Sequence, residues 1–366
     1  MIPPAPETEK LARMRLAAAP FMRADTVRAL IDAFGGAEAA LRQDAGALCT
    51  TGLIGRGPAE RFLAAARAFP AEDRLRACER DGIRVLLVPE DPEVPDLVKS
   101  IPDAPILLYC LGSLLPGTGR GTLAVVGSRK PTPYGARMAR RFGAQAAEAG
   151  LVTVSGLARG VDTEAHAAAL EAGGIAWAVL GSGLARIYPG ENAPLARRIA
   201  ERGGAVLSEL PPDAEPLSEN FPRRNRIVSG LASAIVVVEG TETSGSLITA
   251  KLAAEQGRDV FAVPGPADSD LSRGPHILIK EGAGLVASVA DIIDALPRLA
   301  SITRRTSGGS ATEHNDILAL LKGEPRTLDQ LSEGLHREVR DLSRELVELE
   351  MRGLVVALGS QRYALK

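Results

Sequence analysis

The sequence has little of what disulfide-bonded, membrane-spanning or zinc-binding proteins need. It contains only 3 cysteines in 366 residues, and their odd number and wide spacing (Cys49, Cys78 and Cys110) argue against a disulfide framework or a zinc site. No apolar run approaches the ~20 residues of a spanning helix, and the first ten residues hold no apolar core of a signal peptide. We therefore expect a cytoplasmic protein with no membrane partner, no metal and no cofactor.

Two common nucleotide-binding fingerprints are missing as well. The glycines do not follow the G-x-G-x-x-G spacing of dinucleotide sites, and no G-x-x-x-x-G-K-[ST] of ATP-hydrolysing P-loops occurs. Asp162 and His166, spaced i and i+4, could form an acid–base pair, but such a pair is more often a helix cap and a buried polar contact. Because no nucleophile, base and orienting group form a recognisable set, the sequence predicts a protein that is not an enzyme.

The length and the hydrophobic pattern predict several domains. Residues 1–70 show helical spacing of apolar side chains around a glycine-rich turn at Gly52, Gly55 and Gly57, which predicts an all-helical module of the helix-hairpin-helix or SAM-like kind. Such a turn can offer backbone N–H groups to a phosphate, or it can serve packing alone. The sequence leaves both possibilities open.

Most of the remaining chain alternates apolar strands with helical segments. In residues 71–297, and most strictly in a core of residues 121–297, continuous apolar strands are separated by helices, which predicts an α/β fold with a doubly wound parallel sheet. Residues 298–312 have the composition of a linker. Residues 313–366 predict a winged helix, with three helices and a terminal hairpin.

The loops that follow the predicted strands carry the functional signal. An open parallel sheet binds its ligands beyond the carboxyl ends of its strands. The loops there read SRKPTPYG, GLARGVDTEAH, SGLARIYPGEN and TETSGSLITA, each with glycine and a hydroxyl group and most with arginine. Glycine turns and helix N-termini bind phosphate oxygens through backbone N–H groups, and arginine adds charged donors. These loops predict a site for a phosphate-rich ligand.

Positive charge is concentrated locally in a chain of net charge −2. Residues 120–147 contain six basic and no acidic side chains: Arg120, Arg129, Lys130, Arg137, Arg140 and Arg141. The stretch FPRRNRIVSGL places three more arginines directly after Phe221. Arginines beside an aromatic ring on which a base can stack are features of single-strand recognition. The alternative is that Phe221 packs into the core and one arginine pairs with Glu209 or Glu219.

Several motifs resemble one known family. In order, and over about residues 75–296, they are VVGSRKPTPYG, VSGLARGVDTEAH, VLGSGLARIYP, FPRRNRIVSGL, SGSLITAKLAAEQGRDVFAVPG and LIKEGA, and they resemble the DNA-processing protein A family (DprA, also called Smf). The helical module and the winged helix are similar to domains that many members carry. The resemblance implies an extended Rossmann-like domain in a homodimer. It also implies a protein that binds and protects incoming single-stranded DNA and loads the RecA recombinase in natural transformation, without catalytic turnover.

The resemblance also implies a basic DNA pocket at the strand ends. At the matching positions Arg129 and Lys130 would hold phosphate, Phe221 would stack a base, and the arginines of RRNR would line the pocket. The expected DNA-binding residues are Gly127, Ser128, Arg129, Lys130, Ser155, Gly156, Arg159, Phe221, Arg223, Arg224, Asn225, Arg226, Ser244, Gly245 and Ser246.

Two other interpretations stay open. Glu239 and Glu242 follow a strand end and could act on a glycosidic bond, so the alternative is a nucleotide-binding or nucleotide-cleaving enzyme of the phosphoribohydrolase kind, although the PGGxGT segment of those enzymes is absent. A winged-helix regulator that binds duplex DNA is the other. Residues 313–366 carry ten acidic and eight basic residues, which favours protein contact over sequence-specific duplex binding by this domain.

Overall fold

The computed structural model divides into two compact units, Met1–Ile302 and Thr303–Lys366. It describes residues 7–20, 22–115, 119–296, 298–299, 317–318, 320–321, 324–335, 337, 339, 342–343, 346, 349–350, 355–358 and 362–365. In this described part of the chain, none of the helices combines the length and the hydrophobicity needed to span a bilayer.

In the described residues between 7 and 80, the first unit has six helices: α1 Glu7–Ala18, α2 Ala24–Phe34, α3 Ala37–Arg42, α4 Ala45–Thr50, α5 Arg56–Ala68 and α6 Ala71–Arg80. They enclose a small core of their own, with Leu30 and Phe62 at its centre. Arg13 of α1 joins this core to the rest of the unit, because its guanidinium donates to the carbonyl of Val88 at 2.8 Å and pairs with Glu90. The predicted helical module is therefore packed directly on the sheet domain.

Nine strands form one sheet: β1 Ile83–Leu87, β2 Leu107–Gly112, β3 Thr122–Val126, β4 Val152–Ser155, β5 Ala176–Val179, β6 Ala205–Ser208, β7 Ala234–Val237, β8 Asp259–Ala262 and β9 Gly284–Leu285. Their order is β1-β2-β6-β5-β4-β3-β7-β8-β9. The seven strands from β3 to β9 pair in parallel, while β1 and β2 extend one edge in antiparallel fashion. The predicted parallel sheet is confirmed.

Within the described part of the first unit, eight α-helices accompany the strands: α7 Asp96–Lys99, α8 Pro133–Glu148, α9 Val161–Glu171, α10 Ala193–Glu201, α11 Asn220–Gly230, α12 Gly245–Glu255, α13 Asp270–Lys280 and α14 Val289–Ala295. Helices α8, α9, α10 and α14 cover one face of the sheet, and α7, α11, α12 and α13 cover the other. Successive residues of β3 alternate between the faces, with Val125 in one core and Ala124 and Val126 in the other. A strand buried on both faces must be apolar throughout, which is why each strand is a continuous apolar run.

The strand order reverses at β3, and this reversal positions the site. From β3 the chain runs outward through β4, β5 and β6, and β7, β8 and β9 then fill the opposite side. The loops after β3 and β7 therefore diverge to opposite faces and leave a crevice at the carboxyl ends of the strands.

In the described residues of the second unit, three strands form a sheet. Strand β10 (Arg326–Thr327) precedes helix α15 (Leu328–Leu335), and β11 (Val355–Ala357) pairs with β12 (Arg362–Leu365) as the predicted hairpin. Strand β10, which the sequence did not predict, adds to β12 on its other side. Residues 300–312 of the predicted linker, and parts of the first and third predicted helices, lie outside the described residues.

Helices α8 and α9 approach each other through a glycine, and this contact allows a stability test. A Cβ built on Gly143 of α8 would collide with the backbone carbonyl of Ala165 in α9, whereas a Cβ on Gly57 of α5 would meet nothing nearer than Arg61, at 3.7 Å. We expect Gly143→Ala to lower the free energy of unfolding by about 1–3 kcal/mol. The matched change Gly57→Ala should leave it unchanged or raise it by up to about 1 kcal/mol.

Urea unfolding followed by the fluorescence of Trp177, the single tryptophan, measures both effects, since this residue lies in β5 within the same unit. Equal stability of the two variants would contradict the close packing of α8 on α9.

Candidate nucleic-acid interface

A cavity of about 610 Å³ lies at the carboxyl ends of β3, β4 and β7, where the strand order reverses. The loops after β3 and β4, the first turns of α11 and the N-terminus of α12 form its walls. Ten of the fifteen expected residues line it: Gly127, Ser128, Arg129, Gly156, Phe221, Arg224, Asn225, Ser244, Gly245 and Ser246. Sequence positions more than 100 residues apart thus meet at one place in the fold.

The three arginines of RRNR separate because they lie on a helix. In α11 each residue is rotated by about 100° from the preceding one, so neighbouring side chains leave the axis in different directions. Arg224 lines the cavity, Arg223 is exposed in a separate cleft beside α1 and α2, and Arg226 is buried. Arg226 pairs with Glu209 at 2.6 Å and with Asp103 at 3.0 Å. The pairing of one arginine with Glu209, considered from the sequence, is therefore confirmed for Arg226.

Arg224 forms the floor of the cavity. Its side chain is only 7% exposed, and its guanidinium donates to the carbonyl of Gly156 at 2.6 Å and to that of Val179. Burial lowers the pKa of Arg224 to about 10, although the nearby carboxylate of Asp162 acts in the opposite direction. Arg224 is therefore both a buried positive charge and the link that ties α11 to the ends of β4 and β5.

The carboxylate of Asp162 organises the loop after β4. It accepts hydrogen bonds from the N–H groups of Gly156 (3.0 Å) and Ala158 (3.3 Å). Leu157, between them, has a φ of +54°, a left-handed conformation that is costly for leucine, and its side chain is fully buried. Burial raises the pKa of Asp162, while Arg224 lowers it. Two N–H groups of this glycine loop thus already have an acceptor, and an anion must find its donors elsewhere.

The N-terminus of α12 provides such donors. Gly245 and Ser246 are its first two residues, and backbone N–H groups at these positions have no intrahelical acceptor. The hydroxyls of Ser244 and Ser246 lie 2.6 Å apart, and a Cβ built on Gly245 would meet nothing within 4 Å, so the approach to this helix end is open. An open helix N-terminus with two hydroxyl groups is suited to a phosphate group.

Two aromatic rings form another part of the cavity wall. The rings of Phe221 and Tyr188 lie 5.6 Å apart, and the guanidinium of Arg129 lies 5.3 Å from the centre of the Phe221 ring. Gly181 makes room for this ring, since a Cβ there would lie 2.8 Å from Phe221 Cδ1. Phe221 remains half-buried and lines the cavity, so it is not a core residue.

Tyr188 was missed in the sequence, although it follows β5 in one of the loops singled out there. The guanidinium of Arg159 lies 5.7 Å from its ring and is held by an ion pair with Glu191 at 2.5 Å. Arg159 lines a small recess beside the main cavity. The signal that could have identified Tyr188 in the sequence is an aromatic residue in a loop that follows a strand.

Two other expected residues lie outside the cavity. Lys130 is exposed next to Arg129 at the rim. Ser155 is fully buried, and its hydroxyl donates to the carbonyl of Val125 at 2.6 Å, which joins the ends of β4 and β3. Ser155 therefore supports the cavity from below.

The side chains considered for catalysis either lie outside the cavity or already take part in hydrogen bonds within the protein. Glu239 is buried and accepts from the N–H (2.9 Å) and hydroxyl (2.6 Å) of Thr132, which fixes the start of α8. Glu242 is exposed and does not line the cavity, and His166 is fully buried beneath it. Among the described lining residues, Asp162 is the one acid. Within the described part of the chain, no group of three or more His, Cys, Asp or Glu side chains could hold a metal ion.

Comparison with known proteins identifies the family. The sequence model of the DNA recombination-mediator protein A family matches residues 85–297, and that of the DprA winged helix domain matches residues 303–361. Protein Smf of Escherichia coli (strain K12) is 41% identical over 327 residues, which cover 86% of each chain. The chain belongs to the DprA/Smf family.

Two solved DprA structures are similar to this DprA-family chain. DprA from Streptococcus pneumoniae is 35% identical with a TM-score of 0.65, and the match covers 76% of this chain and 95% of that one. DprA from Helicobacter pylori, whose structure is described for its single-stranded DNA binding mode, is 28% identical with a TM-score of 0.53, covering 59% and 96%. The resemblance found in the sequence is confirmed, and membership of a family of DNA-processing proteins supports the prediction that the chain is not an enzyme.

The buried His166 gives a pH dependence that can be tested. Burial lowers the pKa of His166 to about 3, from 6.5 in the unfolded chain. Between these values the folded DprA domain binds fewer protons than the unfolded chain, so its stability falls as the pH decreases below 6.5. The loss approaches about 1.4 kcal/mol per pH unit.

Substitution of His166 by Met removes this titration. We expect the free energy of unfolding of His166→Met to fall less steeply between neutral and mildly acidic pH than that of the wild type, by about one proton. Urea unfolding at several pH values provides the measurement. Parallel pH curves for the two proteins would show that His166 is not buried in its neutral form.

Proposed function

We propose that this protein is a non-catalytic DNA-binding protein that holds single-stranded DNA in the cavity at the carboxyl ends of the strands. The observation that carries the proposal is the pairing of Arg129 with the ring of Phe221 at 5.3 Å, in the cavity that the open N-terminus of α12 also lines. The guanidinium of Arg129 suits a phosphate, the ring of Phe221 suits a base, and the N-terminus of α12 suits a second phosphate. The single-stranded DNA binding described for the H. pylori relative supports the same ligand.

In this arrangement the protein contacts chemistry that every nucleotide shares. Arg129 and the exposed Lys130 bind phosphate oxygens from one side, and the N–H groups of Gly245 and Ser246 bind them from the other. A base stacks against the aromatic wall of Phe221 and Tyr188, and stacking is tolerant of sequence because every base has a π-face. The buried charge of Arg224 adds attraction for the backbone. The protein thus binds single strands without reading their sequence.

The wider role follows from the family. The protein acts as a homodimer in the cytoplasm, protects incoming single-stranded DNA and loads the RecA recombinase during natural transformation. What supports this part of the proposal is family membership, together with residues 313–366, whose net charge of −2 suits contact with a protein. A phosphoribohydrolase activity is less well supported, because Glu239 is engaged with Thr132 and Glu242 lies outside the cavity.

Fluorescence anisotropy of a labelled oligothymidylate, measured over a salt series, tests the DNA-binding role. We expect Arg129→Ala to weaken binding and to reduce the slope of log K against log salt by about 0.7, the loss of one phosphate contact on a single strand. Phe221→Ala should weaken binding by about 1–3 kcal/mol, the worth of one stacked base, and should leave the slope unchanged.

Arg186→Ala is the matched control, because Arg186 is exposed, pairs with Glu215 at 3.5 Å and does not line the cavity. It should bind the oligonucleotide as the wild type does. Tighter binding of duplex, unaffected by Arg129→Ala and Phe221→Ala, would contradict the proposal and would move the DNA site to the terminal domains.

A further inference from the structure

Helix α8 carries positive charge that the cavity does not use. Residues 120–147 contain six basic and no acidic residues, but only Arg129 of these lines the cavity. We propose that single-stranded DNA leaving the cavity continues along the exposed side of α8, where Arg137 and Arg141 hold further phosphates. This inference rests on the proposed function, because it extends the path of the same strand.

Arg137 repeats the arrangement found in the cavity. Its guanidinium lies 5.9 Å from the centre of the Tyr134 ring, as that of Arg129 does at 5.3 Å from Phe221. Tyr134 is itself fixed, since its hydroxyl donates to the carbonyl of Pro264 at 2.7 Å and its ring packs on the core beneath α8. An arginine held against a fixed ring loses little conformational freedom on binding a phosphate, and its planar fork suits phosphate oxygens.

Arg137 and Arg141 lie on one face of the helix, one turn apart. Both are exposed, and within the described residues no carboxylate lies within ion-pair distance of either. Arg141 interacts electrostatically with Asp291 of α14. The pKa of Asp291 is lowered mainly because its carboxylate accepts hydrogen bonds from the N–H groups of Ala287 and Ser288. That carboxylate caps its own helix and forms no ion pair with Arg141, although the charge of Arg141 also contributes to lowering its pKa.

Arg140 on the same helix, by contrast, forms ion pairs within the protein. It faces α9, where it pairs with Glu164 at 3.2 Å and with Glu171. The three arginines thus differ in their partners: Arg140 is paired with carboxylates of α9, whereas Arg137 and Arg141 form no ion pair within the described residues. This contrast favours an external anion as the partner of Arg137 and Arg141.

The cavity rim is joined to α8 by a short stretch of chain. Arg129 and Lys130 at the rim are followed within three residues by the start of α8, which Thr132 caps and Glu239 fixes in place. Arg137 and Arg141 lie four and eight residues after Pro133, about 6 and 12 Å along the helix axis. A strand longer than the cavity can hold would therefore find further exposed arginines along α8, beyond Arg129 and Lys130.

Anisotropy with two oligothymidylates tests the path, one of about 4 and one of about 16 nucleotides. The test variant is the double substitution Arg137→Gln with Arg141→Gln, and Arg140→Gln is the matched control. We expect the double variant to bind the long oligonucleotide about tenfold more weakly at low salt, with a salt slope reduced by about 1.4, and to bind the short one normally. The control should bind both as the wild type does.

Several outcomes separate this proposal from the proposed function. Wild-type binding of the long oligonucleotide by the double variant, or an equal loss in Arg140→Gln, would overturn the α8 path alone. Normal binding of the short oligonucleotide by Arg129→Ala would overturn the cavity as the DNA site. A wild-type protein that binds neither oligonucleotide would overturn both. The thermal midpoint of the double variant should equal that of the wild type, and that of Arg140→Gln should fall by no more than the small worth of its exposed ion pairs, which verifies folding.

Discussion

The buried guanidinium of Arg224 is the constraint on which the candidate site depends. It donates hydrogen bonds to the carbonyls of Gly156 and Val179 at the ends of β4 and β5, and it belongs to a residue of α11. Removing a charge of this kind would leave buried carbonyls without donors and Asp162 without its cation, losses of several kcal/mol. The shape of the cavity therefore follows from one side chain that does not itself need to touch the ligand.

Arg224 also determines how the neighbouring loop is used. Burial raises the pKa of Asp162 and the charge of Arg224 opposes this effect, while the carboxylate accepts hydrogen bonds from the N–H groups of Gly156 and Ala158. These contacts hold Leu157 in a left-handed conformation that leucine adopts only when its surroundings impose it. With that loop engaged, α12, Arg129 and Lys130 offer donors to an anion. A site organised in this way offers charge and aromatic surface but no base-specific pattern.

The sequence predicted the sheet because its signal is local. Each of β3 to β8 is a short apolar run ending near glycine or a polar turn, and the rule that ligands bind beyond parallel strand ends then located the cavity. The positions and partners of Arg224 and Arg226 could not be predicted in the same way. They depend on which way α11 faces and on Asp103, more than 100 residues away in the sequence, and neither is encoded in a local pattern. Tyr188 was missed for a related reason, since its value lies in its contact with Phe221.

The binding mode is tested most directly by photocrosslinking. An oligothymidylate with a single iodouracil would be irradiated in complex with the full chain, and the modified residue identified by mass spectrometry. If bases stack on the aromatic wall, the adduct will form on Phe221 or Tyr188. An adduct confined to the helices of residues 7–80 or to residues 303–366 would contradict the assignment of the cavity as the DNA site.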